Sequence, residues 1–202
     1  MKTIILDRDG VINQDSDEFI KSVDEWQPIP GSLEAIALLH RHDYRVVVIT
    51  NQSGIARGLF SLATLNDIHR HMLSETRKKG GLIEAIFFCP HGPDDGCNCR
   101  KPLTGMYKDM ANRLKIEMNG VPAVGDSMRD LQAAHDVGAL PVLVKTGKGK
   151  QQAFIIDALP MVYFDFIFTP IGILPGPGMK QIAGGRHIEN TKNGPEIIKQ
   201  RQ

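Results

Sequence analysis

Cysteine is scarce and confined in this 202-residue chain: three residues, all between positions 89 and 99. An odd, tightly clustered set excludes a disulfide framework and points to metal ligation in a reducing compartment, with the cytoplasm expected. An excess of one charge is also missing. Twenty-four Lys and Arg against 23 Asp and Glu leave a formal charge of +1, so neither nucleic acid nor an anionic membrane is an expected partner. Long apolar runs are lacking too. The opening MKTIILDRDG is interrupted at Asp7 and does not read as a signal peptide. Phe154–Leu174 is rich in Phe, Ile and Leu, but Asp157, Pro160, Asp165 and Pro170 break it, which argues against a membrane span. No internal repeat is evident.

What is present is an alternation of strand-like and helix-like segments as far as about residue 147. Thr3–Leu6 predicts a buried strand, and Arg45–Thr50 holds the run Val46-Val47-Val48-Ile49, the pattern of a central parallel strand. Ser32 is a predicted N-cap for a helix with Leu33, Ile36, Ala37 and His40 on one face. Ser61 is predicted to cap a second helix with an inward stripe of Leu62, Leu65, Ile68 and Met72. Ala85–Cys89, Val121–Val124 and Pro141–Val144 read as further strands; Met106, Met110 and Leu114 mark a third helix and Asp130–Val137 a fourth. The pattern predicts an α/β fold, Rossmann-like, with a parallel sheet covered by helices on both faces. The organised domain is expected over residues 1–150, with a loop at 89–101. Residues 151–202 read as an atypical tail with at most one strand near Met161–Phe168, the remainder loose or disordered.

In such a sheet, ligands bind beyond the carboxyl ends of the strands, and the chemistry-bearing residues follow strands. Asp7 and Asp9 come two residues apart just past the first. One carboxylate can attack phosphorus, and the second, if its pKa is raised, can protonate the leaving oxygen and activate water. Alone, Asp-x-Asp-Gly is equally a polar turn. Thr50-Asn51-Gln52-Ser53-Gly54 adds a string of short donors for phosphate oxygens, Arg100-Lys101 two cations, and Asp126-Ser127 with Asp130 further polar groups after the fourth strand. Magnesium suits a carboxylate and phosphate set of this kind.

Cys89, His91, Cys97 and Cys99 form a Cys₃His set that favours a closed, structural zinc site. The alternative is an unligated loop. Zinc there would steady Arg100 and Lys101, which follow its last ligand directly. His40, His42, His69, His71 and His135 fall on predicted helices or their ends and are expected at the surface or half-buried.

The ordered set of motifs over residues 1–147 resembles the haloacid-dehalogenase-like phosphatases. That resemblance implies Asp7 as nucleophile and magnesium ligand, and Asp9 as general acid/base that also gives its backbone carbonyl to the metal. Thr50 and Lys101 would bind the phosphoryl group, and Asp126 would complete the magnesium site. Asp130 would act from behind these groups or as a helix N-terminal charge. The zinc loop and short connections imply a member without a large cap domain. Thr50–Gly58 is similar to the heptose 1,7-bisphosphate 7-phosphatases, which act in the synthesis of nucleotide-activated heptose. Histidinol-phosphate phosphatases share the zinc loop, and a non-catalytic zinc-stabilised binding protein is the alternative of another class. The heptose resemblance implies a small phosphorylated sugar substrate held by Asp15, Asn51, Gln52, Ser53, Arg57, Arg100 and Ser127, with the chain a monomer. Two features depart from that family: the segment Asn13–Ile20 has no Gly-Tyr pair, and the tail is unlike its usual ending.

Overall fold

The computed structural model describes residues 1–152 and the strands Val162–Phe164, Gln181–Ala183, Arg186–Thr191 and Gly194–Ile198. Elements follow in the order β1 (Lys2–Leu6), α1 (Ser32–Arg41), β2 (Tyr44–Asn51), α2 (Leu62–Lys78), β3 (Ala85–Cys89), α3 (Gly105–Leu114), β4 (Pro122–Gly125), α4 (Met128–His135), β5 (Leu140–Val144) and α5 (Gly149–Gln152). The four further strands are β6 to β9. Sheet order is β3-β2-β1-β4-β5-β6-β7-β8-β9. Every pairing from β3 across to β6 is parallel.

Successive side chains of a strand point to opposite faces, and the continuous apolar run of β2 is divided accordingly. Val46 and Val48, with Ile4 and Leu6 of β1, pack with Leu33 and Ile36 of α1 and Ile68 and Met72 of α2. Val47 and Ile49, with Ile5, pack on the other face with Met106 and Met110 of α3 and Ala133 and Ala134 of α4. A two-sided core is why β2 needs no polar alternation. β1 runs between β2 and β4, so the chain winds outward from it in both directions. The crevice beyond β1 and β4 is therefore the topological switch point where this architecture binds ligands.

Helix details depart from the sequence reading. Gly31, in the left-handed region, caps α1 without a side-chain bond. Ser32 instead donates its hydroxyl to the Ile12 carbonyl at 2.6 Å, tying the helix to the loop after β1. His40 is exposed and Leu39 takes the inward place. Ser61 does cap α2, its Oγ accepting from Thr64 N–H, but Leu62 is half exposed. His69 is buried, not half-buried, and reaches Arg8.

The tail carries more strand than the sequence predicts. β6 falls inside the expected Met161–Phe168 window, and three antiparallel strands follow it. Ala183 pairs with Arg186 and Thr191 with Gly194, leaving two residues between each pair. The residues of these strands carry no alternating apolar pattern, which is why the hydrophobicity of this segment concealed them. Other residues of the tail lie outside those described.

Candidate active site

Asp7 begins where β1 ends, its N–H donating to the Val124 carbonyl of β4 at 2.8 Å. Asp7, Asp126 and Asp130 each offer a carboxylate oxygen within 4.8 Å of the others, a set able to hold a metal ion. Facing them is Lys101, buried, with Nζ 3.0 Å from Asp7 Oδ1 and 2.5 Å from Asp130 Oδ1. The ammonium donates also to the Ile49 carbonyl at 2.8 Å. Burial pushes the Asp7 carboxyl up, Lys101 opposes it, and Asp130, Asp126 and Asp9 add to it. Asp126 rises to about 6, again chiefly through burial. Lys101 is held charged by Asp130 and Asp7 against its own desolvation. Three carboxylates against one ammonium leave the centre short of positive charge, the electrostatic condition that a divalent cation satisfies.

Two glycines make room for this arrangement. Gly10 (φ 78°) and Gly147 (φ 53°) adopt left-handed backbone, and a Cβ at either would overlap the Asp126 carboxylate. Asp126 Oδ2 then accepts from Lys148 N–H at 2.8 Å. Asp130 has a second duty: its Oδ2 accepts from both the N–H and the hydroxyl of Ser127, closing a capping box at the start of α4. Ser127 is thereby used up structurally and does not line the cleft.

Asp9 points into a different network. Arg8, only 1% exposed, donates Nε and Nη2 to its two oxygens at 3.0 Å each. Asn13 Nδ2 and Gln52 Nε2 donate to it at 2.9 Å. Burial alone would raise the Asp9 carboxyl, but the Arg8 guanidinium and these hydrogen bonds outweigh it and hold the group below the usual range. The raised pKa expected of an acid catalyst is thus not a property of Asp9 in this conformation. Gln52 also donates to Thr50 Oγ1 at 2.9 Å and accepts from Arg8 at 3.0 Å, linking the ends of β1 and β2. An arginine between two aspartates in a turn reads as a solvated charge, so nothing local in the sequence reveals Arg8 as buried.

Around this floor lies a cleft of about 330 Å³. Asp7, Asp9, Asp15, Thr50, Asn51, Gln52, Ser53, Arg57, Arg100, Lys101, Asp126 and Asp130 all line it, so the sequence-derived residues converge apart from Ser127. Arg129 and Lys148 line it as well and were not foreseen. Lys148 follows the end of β5, so strand-end position is a signal that could have found it. Arg57 and Arg129 form no ion pair among the described residues, and Arg57 rests over the Phe19 ring at 5.7 Å. Burial, with Arg129 and Arg57 contributing, holds the Arg100 pKa below its ordinary value.

The cysteine loop joins the cleft at Arg100. Ligand atoms of Cys89, His91, Cys97 and Cys99 lie within 4.8 Å of one another. Arg100 Nη1 donates to the His91 carbonyl at 3.2 Å. Among the described residues no helix is long and apolar enough to cross a membrane.

A family model described as HAD-hydrolase-like matches residues 98–160. The D-glycero-beta-D-manno-heptose-1,7-bisphosphate 7-phosphatase of Bordetella bronchiseptica is 63% identical over 151 residues, which span 75% of this chain and 84% of that protein. The Pseudomonas putida enzyme of the same name is 56% identical over 151 residues, covering 75% and 86%. Among solved structures, the D,D-heptose 1,7-bisphosphate phosphatase of B. bronchiseptica in complex with magnesium and phosphate superposes with a TM-score of 0.80 at 57% identity, covering 82% of this chain and 93% of that one. With the parallel sheet, the strand-end aspartates and Lys101 already in place, the chain belongs to the heptose-1,7-bisphosphate 7-phosphatase family of haloacid-dehalogenase-like hydrolases.

Proposed function

We propose that this chain is a magnesium-dependent phosphomonoesterase that removes the 7-phosphate of D-glycero-manno-heptose 1,7-bisphosphate, a step toward nucleotide-activated heptose. The observation that carries the reading is the charge layout of one cleft. Asp7 and Lys101 meet at 3.0 Å on its floor, while Arg57, Arg100 and Arg129 line it, with no acidic partner for Arg57 or Arg129 among the described residues. A substrate with phosphate at both ends matches such a layout. Histidinol phosphate would bring an ammonium instead, which the arginines disfavour.

Asp7 attacks phosphorus through a carboxylate oxygen; an aspartyl-phosphate forms as the ester P–O bond breaks. The departing sugar oxygen takes its proton from Asp9, which later receives a proton from the water that hydrolyses the acyl phosphate. To serve so, Asp9 exchanges its Arg8, Asn13 and Gln52 partners for the leaving oxygen. Thr50 and Lys101 hold phosphoryl oxygens, with Ser53 and the Asn51–Gln52 loop shaping the wall. Asp7, Asp126 and the Asp9 carbonyl would hold magnesium, which supplies charge to neutralise the transferring phosphoryl group. A relative crystallised with magnesium and phosphate supports magnesium as the cation.

Zinc is the cation we assign to Cys89, His91, Cys97 and Cys99. Three thiols and an imidazole converge there, with Cys89 Sγ 3.7 Å from Cys97 Sγ, 3.0 Å from Cys99 Sγ and 3.5 Å from His91 Nδ1, the donor set of a closed structural zinc site. The reading carries with it a reducing cytoplasm and a monomeric chain. Phosphate release from a panel of sugar mono- and bisphosphates with magnesium tests it. Heptose 1,7-bisphosphate is expected to turn over fastest; faster turnover of histidinol phosphate overturns the substrate.

A further inference from the structure

The loop between β5 and α5 closes the third side of the active site, although nothing in the proposed chemistry uses it. Thr146 Oγ1 donates to the Gly10 carbonyl at 2.6 Å, across 136 positions of sequence. Gly147 packs so closely on Gly10 and Asp126 that a Cβ there would collide with both. Lys148 then does two separate things. Its main-chain N–H holds Asp126 Oδ2 at 2.8 Å. Its ammonium reaches the loop after β1, 3.3 Å from Asp15 Oδ2 and 3.2 Å from Asp17 Oδ1.

Those two carboxylates line a cleft that must admit phosphates. Left alone, they would repel a polyanion. Asp17 is 89% exposed, so its pairing with Lys148 is screened by water and worth little. Asp15 is different: its side chain is 21% exposed, and its other oxygen is already fixed by the Ser16 N–H at 2.9 Å. One oxygen held by Ser16 and one facing Lys148 give the carboxylate a defined orientation on the cleft wall.

We propose that Lys148 is a positioning residue for substrate binding: it neutralises and orients Asp15, which takes the hydroxyl-bearing part of a phosphorylated sugar. The assignment rests on the sugar-phosphatase reading above. The division of labour in Lys148 makes it testable, because a side-chain substitution removes the ammonium while leaving the N–H on Asp126 in place.

The experiment measures steady-state kinetics for K148M, K148R, D15N and K148M/D15N, using whichever phosphorylated sugar the wild type turns over fastest. K148M is expected to raise KM about tenfold while kcat stays within about twofold, the mark of lost binding common to ground and transition states. The magnesium concentration giving half-maximal activity should not move, and K148R should restore KM. In the D15N background, K148M should add less than about twofold, because the two residues act as one unit. An unchanged KM in K148M, or effects of K148M and D15N that simply multiply, overturns the proposal. If the preferred sugar proves not to be heptose 1,7-bisphosphate while the coupling holds, the substrate reading fails and the role of Lys148 stands.

Discussion

Asn51 pairs both ends of its side-chain amide with the main chain of Lys101: Nδ2 donates to the carbonyl at 3.1 Å, and Oδ1 accepts from the N–H at 3.0 Å. The end of β2 thus grips the loop that brings the Lys101 ammonium to Asp7, much as a neighbouring strand would. Asn51 lines the cleft, and each end of its amide also holds Lys101. The lysine loop consequently has two anchors, this amide and the Cys₃His cluster.

Removing the amide anchor should act on turnover before binding. For N51A, kcat is expected to fall about 10- to 100-fold as Lys101 drifts from Asp7, because misplacement of about 1 Å can cost that much. KM should change by much less. Phosphate-release kinetics measure both, and an N51A variant with wild-type kcat would show that the pairing does not matter for catalysis.

The nucleophile assignment is tested by D7N. Loss of the carboxylate should lower turnover by about three orders of magnitude or more. Folding should survive, since Lys101 keeps Asp130 and Ile49 as partners. Replacing one of three clustered carboxylates by a neutral amide also relieves their mutual repulsion. Thermal unfolding without magnesium should therefore give a midpoint at or above that of the wild type.

His69 links stability to pH. Burial and the Arg8 charge lower its pKa from 6.5 to about 3 in the folded chain. Between those values the unfolded chain binds a proton that the folded chain does not. Stability therefore falls as pH drops from 6.5 toward 3, and this penalty is absent above 6.5. One proton corresponds to a slope of about 1.4 kcal/mol per pH unit. Denaturant unfolding of H69Q between about pH 4 and pH 6 should show a slope smaller than the wild type by up to that amount; identical slopes would contradict it.

Metal removal separates the two anchors of Lys101. Purified protein should hold about one zinc per chain, and C97S should lose it. The variant should retain reduced activity, because Asn51 still holds Lys101, whereas C97S combined with N51A should be nearly inactive. Elemental analysis together with kinetics checks both, and full activity in zinc-free C97S would deny the loop any part in positioning.

Much of the site was legible because its signals are local. Asp7, Thr50, Cys89 and Asp126 stand at or just beyond strand ends, and the β-branched run of β2 identifies a strand buried on both faces. Ser127 and Asn51 were legible as polar residues in the right loops but not in their use, since each spends its hydrogen bonds on a neighbouring element. The tail strands β7 to β9 carry no alternating apolar signal, so pattern reading passes over them.

By itself, the sequence determined the order of strands and helices from β1 to β5, the acidic groups at the strand ends with Lys101, and the thiol and imidazole set of the loop after β3. These depend on periodicity and on neighbours a few residues away. Only the tertiary structure decided how the groups are paired: Arg8 and Gln52 on Asp9, Asn51 on Lys101, Lys148 on Asp15 and Asp126. Most of those contacts join residues 22 to 133 positions apart. Hydrogen bonds and burial follow distance in space, and a parallel sheet brings such residues together only after every crossover has packed.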